Sequence, residues 1–85
     1  MNYRLEYQSG VLRSLERLPR KLQRRILDRI ASLAANPRPP GSIKLTNQEA
    51  YRIRIGDYRV IYKIFDDRLV VFVIDIGNRR DVYRR

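Results

Sequence analysis

Cysteine, histidine and tryptophan are all missing from this 85-residue chain, and each absence closes off some chemistry. Without cysteine there are no disulfides and no thiolate metal sites, which fits a reducing compartment. Without histidine, a zinc site would have to rest on carboxylates alone, so the chain reads as free of metal and of any other cofactor. Acidic residues are scarce as well, 9 against 19 basic ones, and the formal net charge is +10. On a small domain such a surplus points to a polyanionic partner or to an acidic protein that neutralises it. The plain alternative is a basic but passive surface. Long apolar runs are lacking too: Leu69–Ile74 is far too short to span a bilayer. Met1-Asn2-Tyr3-Arg4-Leu5 enters directly into an alternating pattern, without the apolar core of a signal peptide. The expectation is a soluble, cytoplasmic protein with no membrane attachment.

A chain of this length supports one modest core and no second, so a single domain over residues 1–85 is expected. Asn2–Tyr7 alternates, with Tyr3, Leu5 and Tyr7 on one side, and reads as a strand. Ser9 is placed to cap a short helix through Leu18, in which Val11, Leu15 and Leu18 recur at helical spacing. Pro19 breaks it. A second helix from Arg20 to Ala35 is predicted by Leu22, Ile26, Ile30 and Leu33, with Arg24 and Arg25 facing outward. Asn36-Pro37-Arg38-Pro39-Pro40-Gly41 then forms a stiff connection, and Lys44-Leu45 approaches the sheet. Strands are predicted at Ala50–Ile55, Tyr58–Phe65 and Leu69–Ile76, joined by connections of hairpin length. Leu69–Ile74, apolar throughout, reads as a central strand covered on both faces. The order implies an α+β, two-layer fold: an N-terminal strand, a helical hairpin, then an antiparallel three-strand meander.

The last third carries the functional signal. In Tyr51–Ile55 the residues Tyr51, Ile53 and Ile55 share one side, while Arg52 and Arg54 share the other. Two guanidinium groups two strand positions apart stand roughly 6.5–7 Å from each other, a spacing that suits adjacent phosphates. For Arg52 and Arg54 the bland reading is a solvated strand face, and for Arg24 and Arg25 a solvated helix face.

Taken together, the Tyr51-Arg52-Ile53-Arg54 strand, the Gly56-Asp57-Tyr58-Arg59-Val60-Ile61-Tyr62 strand, the Leu69–Ile74 strand and the closing Gly77-Asn78-Arg79-Arg80-Asp81-Val82-Tyr83-Arg84 segment resemble the RelE/ParE toxin superfamily of bacterial and archaeal toxin–antitoxin modules. The resemblance covers nearly the whole chain and leans to the RelE branch. It implies a two-layer α/β toxin of a type II system, neutralised by an acidic RelB-like antitoxin. It also implies a ribosome-dependent, metal-independent messenger-RNA endonuclease acting in the ribosomal A site. There the 2′-hydroxyl of one nucleotide attacks its own 3′-phosphate, leaving a 2′,3′-cyclic phosphate and a 5′-hydroxyl.

Carried over position by position, the resemblance assigns catalysis to Arg54, Arg59, Arg79 and Tyr83. Arg59 and Arg79 suit a bidentate clamp on the scissile phosphate, because guanidinium stays charged at any biological pH. Tyr83 would stack on a base or move a proton, against the alternative of an aromatic that merely anchors the tail. Contacts to message or ribosome are implied at Arg52, Arg80, Lys44, Arg24 and Arg25.

Well-understood members of the superfamily carry lysine at one or both strand positions, and many have histidine after the strand-ending glycine. Arg52, Arg54 and Asn78 stand there in this chain, which leaves the general base open between Tyr83 and an arginine. With the chain ending at Arg85, without the C-terminal helix of some relatives, the antitoxin is expected to inhibit by covering the basic face. Two other readings stay in play: a ParE-like inhibitor of DNA gyrase, and a non-enzymatic basic module that binds RNA or an acidic protein.

Overall fold

Neither helix of this chain can bury its apolar stripe alone, and one face of the sheet supplies the missing cover. The computed structural model describes residues 2–78. Its elements are β1 (Arg4–Tyr7), α1 (Val11–Glu16), α2 (Arg20–Ser32), β2 (Ile43–Lys44), β3 (Tyr51–Ile55), β4 (Tyr58–Phe65) and β5 (Val70–Asn78). The sheet runs in the order β1-β5-β4-β3-β2. Its pairings from β2 to β5 are antiparallel, whereas β1 pairs with β5 in parallel. The helical hairpin thus carries the chain across one face of the sheet, and the meander brings it back beside its own first strand.

The predicted α+β order holds, with several corrections. A fifth strand, β2, borders the sheet where only an approach of Lys44-Leu45 was expected; two residues are too few to carry a periodic signal. Ser9 does not cap α1. Gly10 occupies the N-cap position with φ 87°, and no side chain completes the cap. α1 also stops at Glu16, two residues short of the predicted Leu18. The side-chain amide of Gln23 donates to the carbonyls of Leu18 (2.6 Å) and Glu16 (3.3 Å), closing the corner between the helices. α2 ends at Ser32 rather than Ala35, although Leu33 remains fully buried.

The core lies between the helices and one sheet face. Val11 and Leu15 of α1 and Ile26 and Ile30 of α2 pack with Ile53, Ile55, Val60, Tyr62, Val71, Val73 and Ile76. At roughly 25 cal/mol per Å² of apolar surface, each such side chain contributes about 1.5–3 kcal/mol on burial. The β4–β5 pairing shifts register between Ile61 and Tyr62: Ile61 lies opposite Asp75, but Tyr62 lies opposite Val73. Ile74 is the extra residue of this bulge. It explains why Val71 and Val73 face the core and Ile76, three positions on, does so again.

β5 is interior to the sheet, as predicted, but among the described residues the helices cover only one of its faces. Phe72 and Ile74 are half-buried. Leu69 precedes the strand, in a turn with φ 53°. No helix among the described residues is long and apolar enough to cross a membrane.

Candidate nucleic-acid interface

Because paired residues on neighbouring strands point to the same side of a sheet, the register lays out the face that the helices leave open. Arg54 of β3, Arg59 of β4 and Gly77 of β5 form one row across it. Arg52, Ile61 and Asp75 form the next. The β5 bulge decides this arrangement. It moves Asp75 off the core face and puts Gly77, rather than Ile76, opposite Arg59.

Arg59 is the unusual member of the group. Its residue exposure is 6%, and it is the buried charged residue among those described. Its Nη2 donates to Oδ2 of Asp75 at 2.9 Å, and the carboxylate side chain is 41% exposed. Nε and Nη1 are buried without a hydrogen-bond partner among the described residues. Buried donors left unmade are costly, so these two call for a partner that the described residues do not supply. The guanidinium also lies over Gly77, where a Cβ would fall 2.6 Å from Nη1. A side chain at that position would force the end of this arginine to shift. Arg59 is therefore not the solvent-facing cation that the alternating pattern suggests.

The other arginines of the face are more open. Arg54 is exposed, and its carbonyl accepts from Nη1 of Arg29 on α2 at 3.3 Å. Arg52 is half-buried. Lys44 does not join them: it pairs in register with Tyr51, which puts it on the helix side, and its Nζ lies 3.8 Å from Glu49. Arg24 and Arg25 belong to the helical layer. With Arg20, Lys21 and Asp28 they line a shallow groove along α2, and the tip of Arg25 approaches Gly56 in the β3–β4 turn. The structure thus brings together Arg52, Arg54 and Arg59 and separates them from Lys44 and Arg24. Arg79, Arg80 and Tyr83 lie outside the described residues.

Asp75 and Gly77 escaped the sequence reading as site residues. The signal existed in part, since a β4–β5 hairpin must bring residues near 59 and 76 together, but the one-residue bulge that selects Gly77 leaves no mark in composition.

A second polar cluster ties down the opposite end of the sheet. Arg38 binds Asp66 through Nη2 at 2.9 Å and Nη1 at 3.4 Å, and its Nε donates to the hydroxyl of Tyr51. The Tyr3 hydroxyl donates to Asp66 at 2.6 Å. The hydrogen bond from Arg38 holds the Asp66 carboxyl below its ordinary range, and accepting from Tyr3 keeps that phenol protonated to higher pH. Among the described residues no group of three or more Asp or Glu gathers to hold a metal ion.

Comparison with known proteins agrees with this fold. The family of ParE toxins of type II toxin–antitoxin systems matches residues 5–83. The mRNA interferase toxin RelE of Escherichia coli is 25% identical over 81 residues, covering 93% of this chain and 85% of the relative. Toxin RelG of Mycobacterium tuberculosis is 25% identical over 87 residues and the full length of both. The archaeal RelE–RelB complex from Pyrococcus horikoshii superposes with a TM-score of 0.79 at 30% identity, over 93% of this chain and 97% of that one. The chain belongs to the ParE toxin family of type II toxin–antitoxin systems, and within the RelE/ParE superfamily it is a RelE-like toxin.

Proposed function

We propose that this toxin is a ribosome-dependent endoribonuclease that cuts messenger RNA in the A site. The observation that carries the reading is the row of arginines on the open sheet face. It ends in a buried guanidinium that keeps two donors without a protein partner among the described residues. In the proposed reaction the 2′-oxygen bonds to the adjacent phosphorus and the bond from phosphorus to the 5′-oxygen breaks. The 2′-hydroxyl proton passes to a base, and the leaving 5′-oxygen takes up a proton. The products are a 2′,3′-cyclic phosphate and a 5′-hydroxyl. The nucleophile belongs to the substrate, so no metal-bound water is called upon.

Arg59 and Arg79 are assigned to the phosphate, where fixed cations oppose the charge that builds up on the phosphorane. Since Nε and Nη1 of Arg59 are shut off from solvent, the phosphate must displace whatever overlies them. Arg54 stands beside Arg59 on the same face, and Tyr83 is the candidate proton carrier. Arg52 and Arg80 are assigned to the message. Lys44, Arg24 and Arg25 lie off the arginine face and are assigned to ribosomal RNA. The neutralising partner is an acidic antitoxin that covers the basic surface, in keeping with the RelE–RelB complex of the Pyrococcus neighbour. Because ribosomes are the target, action is in the cytoplasm.

The test is to map transcript ends after brief induction and to repeat the cleavage with purified toxin on programmed ribosomes. Cuts within the A-site codon, absent from naked RNA, are expected. Loss of gyrase supercoiling without transcript cleavage would instead assign the toxin to gyrase inhibition.

A further inference from the structure

We infer that Asp75 and Gly77 are positioning residues that seat Arg59 for the scissile phosphate. The inference rests on the endonuclease reading above and assigns roles to two residues outside the phosphate contacts. Three observations carry it. Asp75 accepts from Nη2 of Arg59 at 2.9 Å, which fixes one nitrogen of the guanidinium and leaves Nε and Nη1 as donors without a partner among the described residues. Gly77 lies directly beneath the same group, and a Cβ there would stand 2.6 Å from Nη1. The bulge at Ile74 delivers both residues to the arginine's side of the sheet; in unbroken register Asp75 would face the core and Ile76 would lie opposite Arg59.

The physical argument is one of orientation. An arginine side chain has many rotamers, and fixing them in advance removes an ordering cost from the reaction. A carboxylate on one nitrogen and backbone under another hold the guanidinium plane in a single pose. Misplacing a charge-stabilising group by about 1 Å costs on the order of 10²-fold in rate. Asp75 also offsets the charge of a buried cation, so orientation and simple neutralisation must be separated by experiment.

Three variants separate them, read as single-turnover cleavage of message already bound with toxin on the ribosome, alongside ribosome affinity and thermal unfolding. Asp75→Ala is expected to lose about 10²-fold in the cleavage step with ribosome affinity little changed. Gly77→Ala, which pushes the guanidinium aside without touching its charge, is expected to lose a similar factor. Asp75→Asn keeps an oxygen that accepts from Nη2, so orientation predicts recovery to within about tenfold of wild type. Neutralisation alone predicts that Asn is as poor as Ala, which would overturn the inference. In an Arg59→Ala background, Asp75→Ala is expected to add nothing, because coupled residues acting through one group are non-additive. Should wild type cleave bound message and Asp75→Ala or Gly77→Ala cleave it equally well, the positioning role is wrong and the endonuclease reading stands. Should wild type leave bound message intact, both fall.

Discussion

The hydroxyl of Tyr62 donates a 2.7 Å hydrogen bond to the carbonyl of Pro37, fastening the proline-rich segment after α2 onto the core face of the sheet. Both residues are buried. The Tyr62 ring stacks on Tyr51, with centroids 6.0 Å apart and planes at 24°. Arg38, next to Pro37, sits 5.4 Å above the Tyr51 ring. One tyrosine thereby holds the exit of the helical layer against the strands that carry the arginine face.

Tyr62→Phe keeps the ring and strands the Pro37 carbonyl. The expected cost is about 1–3 kcal/mol, the desolvation penalty of a buried acceptor left unpaired. For a domain of this size each kcal/mol lowers the melting midpoint by roughly 4–8 °C. Differential scanning calorimetry at neutral pH checks it, and an unchanged midpoint would mean that water replaces the hydroxyl.

The same residue predicts an alkaline limit. Burial pushes the Tyr62 phenol up from 10.0 to about 12, and burial raises Tyr7 as well. A raised folded-state pKa favours the protonated form, so the associated stability is fully present below the unfolded value and disappears as pH climbs through the folded one. For Tyr62 the window runs from about pH 10 to about pH 12, and a two-unit shift corresponds to roughly 3 kcal/mol. Urea midpoints measured across that range should fall steadily. They should fall less in Tyr62→Phe, which starts lower.

By contrast, the Arg38–Asp66 pair is solvent-exposed, at 45% and 55% of its side-chain surfaces. Arg38→Ala should cost no more than about 1 kcal/mol, and the loss should shrink in high salt. Asp66 has a lowered pKa, caused first by the hydrogen bond from Arg38. Its small contribution is therefore present at neutral pH and lost as pH falls through the folded value. Denaturant titrations of wild type and Arg38→Ala at low and high salt test both statements.

What the sequence disclosed, and what it hid, follows from how each feature is encoded. Alternation around Arg52 and Arg54 exposed β3 and its basic side, because a strand with one buried face must alternate. Helical spacing of Ile26 and Ile30 exposed α2 for the same kind of reason. Ser9 misled because a hydroxyl next to a helix start looks like a cap, while Gly10 takes the left-handed turn that starts α1. Burial of Arg59 could not be read off an alternating pattern, and neither could its partner: a carboxylate 16 residues away, brought to its side of the sheet by a bulge between them. The parallel pairing of β1 with β5 is a contact across most of the chain, and local sequence says nothing of it.

The last prediction separates chemistry from association. Arg59 and Arg79 are assigned to charge that appears only as the phosphorane forms, so each should act on the cleavage step more than on binding. Alanine at either position should lower single-turnover cleavage of bound message by roughly 10²–10³-fold, comparable to removing one oxyanion donor, with a much smaller change in ribosome affinity. Arg24 and Arg25 sit on α2, in the layer away from the arginine face. Their replacement should weaken association in a salt-dependent way and leave the cleavage step of bound complexes intact. Tyr83→Phe divides the remaining possibilities: a large rate loss assigns proton transfer or hydrogen bonding to its hydroxyl, and a small one assigns stacking. If Arg59→Ala and Arg79→Ala both cleave bound message at near-normal rates, the arginine face serves binding alone, and the toxin acts without the proposed chemistry.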